Sequence, residues 1–246
     1  MALTNKLTAI GNAIRAKNGE TALYTLDEMP QKIAAIEGGG GSGSSILPSE
    51  YKEVEFLQVD GSQYIITDYY PTGYTQIIVN SYAHLNAGYI YGVRNTNDTA
   101  SFTYMTRTTG YANNCRYGSL TMLNTNSSVP IYFYYGYNSI NSEASLVIYD
   151  HIKGNISFNQ TYSSTQEFTS TLPLYIFNCN QNGAATSNGI IGNLYRLTIK
   201  ENGIIVRDFI PCYRKSDSKP GLYDIVNKQF YTNAGSGEFS FPEYTI

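Results

Sequence analysis

Three segments combine tyrosine with amide or guanidinium side chains in a pattern that suits a binding surface. They are a tyrosine-rich turn at 68–74, a predicted polar loop at 111–117 and a second polar loop at 178–183. Aromatic rings stack on the apolar face of a pyranose, while amides and hydroxyls match its hydroxyl groups. Tyrosines within strands are instead typical of half-buried sheet faces. The predicted ligand-binding residues are Tyr69, Tyr70, Tyr74, Tyr111, Asn113, Asn114, Arg116, Tyr117, Asn180 and Asn182.

The groups that could act as acids, bases or nucleophiles do not form a known catalytic motif. Glu53 and Glu55 share one face of a predicted strand, but the third carboxylate of the acid-x-acid-x-x-acid glycosidase pattern is missing. His84 and His151 are the only histidines, and neither lies in a hydrolase or metalloprotease motif. We therefore predict no catalytic residues and a protein that is not an enzyme.

Oxygen ligands for a metal ion are scattered. Asp60, Asp68, Asp150 and Asp224 lie near predicted turns, but no dense run of Asp and Asn surrounds any of them. We predict no metal site and no cofactor, and leave a single structural calcium ion open.

The cysteines predict neither a disulfide framework nor a metal pair. Cys115, Cys179 and Cys212 are odd in number, far apart and adjacent to strand-like residues. We expect buried or half-buried free thiols and synthesis in a reducing cytoplasm.

Charge and hydropathy exclude two classes of partner. The 246 residues include 16 Lys and Arg against 19 Asp and Glu, a net charge of −3 without a basic stripe. Nucleic-acid binding by phosphate neutralisation is therefore not expected. No apolar run approaches the ~18 residues needed to cross a bilayer, so membrane insertion is not expected either. The N-terminal segment does not have the pattern of a signal peptide.

A Gly/Ser linker at 38–45 separates a predicted helical module at 1–37 from a β domain at 46–246. Apolar residues of the module lie on one face of a helix, and a second short helix begins near Thr25. A unit of this size rarely folds alone, which indicates either an oligomerisation or docking element or a hairpin packed on the larger domain. The expected oligomerisation residues are Leu3, Leu7, Ile10, Ile14, Ile33 and Ile36.

The β domain contains short strand-like runs separated by turn residues. Asn202–Gly203 is the strongest hairpin signal, because both residues tolerate the positive φ of a type I′ turn. Asp60–Gly61 joins two other runs. We predict a mainly β fold, a jelly-roll sandwich rather than an eight-stranded barrel.

Three stretches of the chain resemble one family. Residues 7–17 with 26–30 resemble the N-terminal helical module of tail proteins from phages and prophages of gut Firmicutes. Residues 54–67 resemble the opening hairpin of the laminin-G-like, concanavalin-type jelly roll of those proteins. Residues 206–214, 221–224 and 230–237 resemble its closing strands. The middle segment, 84–190, carries no such motif, and a receptor-binding surface is expected to diverge there.

The resemblance implies a phage or prophage tail protein of the fibre or baseplate. Such a protein would recognise host cell-surface carbohydrate as a receptor-binding or adhesin subunit without catalysis. The implied partners are sister subunits in a homo-oligomer, with a trimer favoured, and other tail or baseplate proteins. The implied location is the virion tail, after synthesis in the host bacterial cytoplasm. A structural or decoration subunit without a ligand, and a polysaccharide-degrading enzyme with an unfamiliar site, remain the alternatives.

Overall fold

A computed structural model describes residues 8, 11–12, 25, 46–83, 87–106, 113–124, 132–138, 143–150, 155–162 and 167–242. The chain divides into two compact units, Met1–Ile46 and Leu47–Ile246. In the first unit, Thr8, Gly11 and Asn12 are helical. The predicted oligomerisation residues lie outside the described residues: Leu3, Leu7, Ile10, Ile14, Ile33 and Ile36.

The second unit is mainly β, and its strands form two sheets in a sandwich-like arrangement. The first sheet has the order β11-β10-β9-β4-β15-β16-β17-β18, with β1 paired to β16 and β2 paired to β15. Its strands are β1 (Tyr51–Glu53), β2 (Leu57–Asp60), β4 (Thr75–Ala83), β9 (Tyr132–Asn138), β10 (Glu143–Asp150), β11 (Asn155–Tyr162), β15 (Ile191–Glu201), β16 (Ile204–Arg214), β17 (Lys219–Asp224) and β18 (Gln229–Thr232).

The second sheet has the order β14-β13-β5-β6-β7-β8, and β12 joins it by pairing with both β5 and β3. Its strands are β3 (Ile65–Ile66), β5 (Gly88–Arg94), β6 (Ser101–Thr106), β7 (Asn113–Gly118), β8 (Leu120–Asn124), β12 (Tyr175–Ile176), β13 (Asn180–Gln181) and β14 (Ala184–Ala185). None of the described residues forms a helix long and apolar enough to cross a membrane.

The hairpin predicted at Asn202–Gly203 is confirmed. These residues connect β15 to β16, and their φ angles of 51° and 79° are both positive. Asn and Gly reach this left-handed region at low cost, and the resulting turn matches the twist of the flanking strands. The turn holds Glu201, the last residue of β15, opposite Ile204.

The opening hairpin expected around Asp60–Gly61 is not formed. Strand β2 pairs with β15 in the first sheet, whereas β3 pairs with β12 in the second. The turn at Gly61, with a φ of 101°, therefore carries the chain from one sheet to the other. It also packs closely on Gly189, where an added Cβ would lie 2.1 Å from the Gly61 carbonyl oxygen.

The core lies between the two sheets. Alternate residues of β4 and β15, such as Ile77 and Leu197, pack with Tyr91 and Phe102 of the second sheet. Tyr91, Tyr104 and Tyr117 are among the largest fully buried side chains. Strand tyrosines therefore fill the sandwich, as the sequence pattern predicts.

The prediction of buried free thiols is confirmed for all three cysteines. Burial raises the pKa of Cys115 well above its ordinary value. Burial likewise raises the pKa of Cys179 and that of Cys212 to about 12. The thiols are therefore neutral at physiological pH.

Candidate functional site

The tyrosine turn, residues 68–74, crosses from β3 of the second sheet to β4 of the first. Backbone hydrogen bonds fix it to the segment that precedes β12. Ser170 N–H donates to the Pro71 carbonyl at 2.7 Å, and Gly73 N–H donates to the Phe168 carbonyl at 2.9 Å. Two chain segments that are remote in sequence therefore form one ordered surface.

The side chain of Glu201 anchors the tyrosine turn by hydrogen bonds. Its carboxylate accepts hydrogen bonds from Tyr69 Oη at 2.5 Å, from Thr75 Oγ1 at 3.1 Å and from Thr72 Oγ1. Burial, followed by the hydrogen bond to Glu201, raises the pKa of Tyr69, so its phenol remains a donor at neutral pH. Tyr69, predicted as a ligand residue, is buried and anchors the turn instead.

Tyr117 supports the same turn from β7. Its side chain is fully buried, and its hydroxyl donates to the Gly73 carbonyl. Its ring packs edge-on against Phe168, with 5.3 Å between centroids. The Tyr117 side chain is not accessible to a ligand, and its role in this structure is to fix the position of Gly73.

Tyr70 and Tyr74 are the exposed aromatic residues of the turn, with 48% and 44% of their surface accessible. Tyr74 is fixed through its backbone, since its N–H donates to Thr72 Oγ1 at 3.0 Å and its carbonyl accepts from Asn202 N–H at 3.3 Å. Aromatic surface is thus displayed on a backbone that is already ordered. Ordered aromatic groups lose little conformational entropy when a ligand binds.

A second polar surface, the arginine cluster, consists of Arg94, Asp98 and Arg116. Arg94 pairs with Asp98 through two contacts, Nε to Oδ1 at 2.5 Å and Nη2 to Oδ2 at 2.9 Å. Arg116 Nη1 reaches the same Oδ2 at 2.9 Å. Ser101 Oγ donates to Oδ1 at 3.0 Å. Two guanidinium groups therefore share one carboxylate.

The turn between β5 and β6 places this carboxylate. Asp98 has a φ of 54°, a left-handed conformation that Asp tolerates, and its N–H donates to the Asn95 carbonyl at 3.1 Å. The hydrogen bond from Arg94 is the main cause that lowers the pKa of Asp98. The carboxylate is therefore ionised at neutral pH.

Asn182 lies beside the arginine cluster. It forms a turn with Gly183, and their φ angles are 55° and 94°. Its N–H donates to the Arg94 carbonyl at 3.1 Å, and its Oδ1 accepts from Thr96 Oγ1 at 2.9 Å. Arg116 and Asn182, which come from two different predicted segments, thus each contact the 94–98 segment, Arg116 at Asp98 and Asn182 at Arg94 and Thr96.

The remaining predicted ligand residues have other positions. Asn180 is buried, and its amide bonds the Pro173 carbonyl and the Gly183 N–H, which is a structural role. Asn113 and Asn114 are the first residues of β7, so this stretch is a strand and not the predicted loop. Tyr111 lies outside the described residues.

Sequence reasoning missed Arg94 and Asp98. The signal that could have found them is an Arg and an Asp four residues apart, flanking Asn-Thr-Asn directly after a strand. Such a spacing suits a turn whose side chains pair across it.

Three of the four aspartates considered for calcium accept hydrogen bonds from protein donors, and the side chain of Asp150 lies outside the described residues. Asp60 accepts from Ser62, Asp68 accepts from Tyr231 at 2.7 Å, and the buried Asp224 accepts from the Asp208 N–H at 3.0 Å. Burial opposes ionisation of Asp68, but the Tyr231 hydrogen bond and the charge of Arg207 outweigh it and lower its pKa. Within the described residues, no three His, Cys, Asp or Glu side chains are grouped to hold a metal ion.

Comparison with known proteins finds no family model and no curated protein that matches this chain.

Proposed function

We propose that this protein is a non-enzymatic receptor-binding or adhesin subunit of a phage or prophage tail. Its second unit, a jelly-roll sandwich of the laminin-G-like, concanavalin type, recognises carbohydrate on the host cell surface. The observation that carries the proposal is the pair of exposed tyrosines, Tyr70 and Tyr74, on the ordered tyrosine turn.

The chemistry of this turn suits sugar recognition. A pyranose presents an apolar face of C–H groups, which an aromatic ring covers at a gain of about 0.5–1.5 kcal/mol for each ring. The turn does not need to become ordered on binding, because Glu201 and the segment at 168–170 already hold it. Burial of an exposed ring then makes the main contribution to the free energy of binding.

The tail assignment is supported by the resemblance of the three motifs and by the division of the chain into two units. In this assignment the first unit, with its predicted helical face, joins sister subunits and attaches them to the tail or baseplate. A trimer would present several weak sites at once. Such an arrangement gains avidity without high affinity at each site.

Retention of the full-length chain on purified cell walls of gut Firmicutes tests the proposal. The double variant Tyr70→Ala, Tyr74→Ala loses two aromatic contacts worth about 1–3 kcal/mol together and should bind about 5- to 140-fold more weakly. Ile191→Ala is the matched control, since Ile191 is exposed at the opposite end of β15 from Glu201. It should bind like the wild type.

Two outcomes contradict the proposal. Equal retention of the double variant and the control would remove the tyrosine turn from recognition. A wild-type chain that binds no cell wall while it still assembles would favour a structural subunit without a ligand.

A further inference from the structure

The arginine cluster has a charge imbalance that its own pairing does not remove. Arg94 and Arg116 contribute two positive charges and Asp98 contributes one negative charge, which leaves one positive charge in excess. The three side chains are 25–30% exposed, so this excess charge lies at the surface and not in the core.

Among the described residues, the neighbouring side chains do not supply the missing negative charge. Burial is the main cause that raises the pKa of Tyr89, so its phenol is neutral at neutral pH. The Cys179 thiol near Arg94 has a pKa raised by burial to about 12 and is neutral as well. The other described residues that contact the cluster, Asn95, Ser101 and Asn182, are uncharged.

Arg116 is the group best placed to bind an anion. Arg94 uses both Nε and Nη2 on Asp98, whereas Arg116 uses only Nη1 among the described contacts. A guanidinium carries further N–H donors in a fixed planar fork, a geometry that matches a carboxylate or a phosphate. The ion pair with Asp98 also holds the Arg116 side chain in place before a ligand arrives.

We propose that the arginine cluster binds the acidic group, a carboxylate or a phosphate ester, of the host-surface glycan. The choice of a glycan rests on the function proposed above, whereas the choice of an acidic group rests on the cluster alone. The tyrosine turn covers sugar rings, and Arg116 selects chains that carry negative charge.

Calorimetric titration of the full-length chain tests this inference with matched ligands. The acidic probes are a galacturonic acid tetramer and a glycerol phosphate tetramer, which distinguish carboxylate from phosphate. The neutral probe is the same galacturonic acid tetramer with its carboxyl groups reduced to alcohols. The wild type should bind at least one acidic probe about tenfold more tightly than the neutral one, and this preference should shrink at high salt.

Arg116→Gln removes the excess charge and leaves the Arg94–Asp98 pair intact. It should lose the preference for the acidic probe and bind the neutral probe as before. Arg214→Gln is the control, because Arg214 is an exposed arginine paired one-to-one with Asp217. It should keep the preference.

Hydrogen exchange of the wild type gives a readout that does not depend on any variant. Bound acidic probe should protect amides at the end of β5 and in β7, around Arg94 and Arg116. Protection confined to other segments overturns the inference.

The two proposals fail in different ways. A wild type that binds neither acidic nor neutral probes, and no cell wall, contradicts the glycan function. A wild type that binds both probes equally well contradicts only the role of the arginine cluster.

Discussion

Removal of the Glu201 carboxylate is the most direct test of how the tyrosine turn is held. In Glu201→Ala, Tyr69 and Thr75 lose their shared charged acceptor. Both residues are buried, so water does not easily replace it. Thr72 is less buried, so its hydroxyl can form a hydrogen bond with water instead.

The expected cost follows from these contacts. A hydrogen bond to a charged group contributes about 1.5–3 kcal/mol. Tyr69 Oη and Thr75 Oγ1 lie 2.6 Å apart, so without Glu201 one hydroxyl can donate to the other, which recovers part of the loss. We expect the free energy of unfolding to fall by about 3 kcal/mol, equivalent to about 6–12 °C in Tm for a domain of this size. Glu201→Gln keeps one acceptor oxygen and should lose about 1 kcal/mol.

Guanidinium denaturation of the full-length chain measures these differences. Glu53→Ala is the control, because Glu53 is an exposed carboxylate at the end of β1, and it should change stability by less than about 0.5 kcal/mol. The reasoning is refuted if Glu201→Ala is as stable as the Glu53→Ala control. A stable Glu201→Ala chain that nonetheless loses cell-wall binding would indicate that Glu201 acts at the ligand and not on the turn.

Two further predictions concern the thiols and the helical module. With a pKa of about 12, Cys179 and Cys212 are ionised in only about one molecule in ten thousand at pH 8, so Ellman's reagent should label the three cysteines only after unfolding. Rapid labelling of the folded chain at pH 8 would contradict their burial. In the module, Leu7→Asp should convert the proposed oligomer to a 27.3 kDa monomer in light scattering, whereas Thr8→Asp, at an exposed helical position, should not. An unchanged mass for Leu7→Asp would remove the module from assembly.

Local sequence signals predicted the parts of the fold that depend on local conformation. The Asn202–Gly203 turn needs only two residues that tolerate positive φ between two apolar strands. The prediction of an opening hairpin was wrong because the turn depends on neighbouring residues, whereas the pairing of its strands depends on residues remote in sequence. Strand β2 pairs with Leu194 and its neighbours, more than 130 residues away by the sequence numbering. No signal within 54–67 identifies that partner.

The candidate site likewise combines features that local sequence predicts with features that depend on residues remote in sequence. Tyr70 and Tyr74 were predicted from a tyrosine-rich turn, but the burial of Tyr69 depends on Glu201, which is remote in sequence. The stretch at 111–117 was interpreted as a loop because of its polar composition. Its alternation, with Cys115 and Tyr117 buried on either side of the half-exposed Arg116, is in fact that of a strand. The pairing of Thr103 with Arg116 then sets the distance between Arg116 and Asp98, and the sequence alone does not predict this distance.

The low charge of this chain should make the proposed anion site at the arginine cluster more selective than it would be on an ordinary surface. The cluster around Arg207 has the opposite imbalance, since one guanidinium contacts both Asp68 and Asp224. Asp224 is fully buried there and Tyr231 donates to Asp68, so protein donors compensate that negative charge. The positive excess at Arg94 and Arg116 lacks such compensation among the described residues. With only 14% of all residues charged, few other groups compete for an approaching anion. The proposed affinity for sugar rings at the tyrosine turn and the proposed preference for negative charge at Arg116 should therefore be separable, and single substitutions should change one without the other.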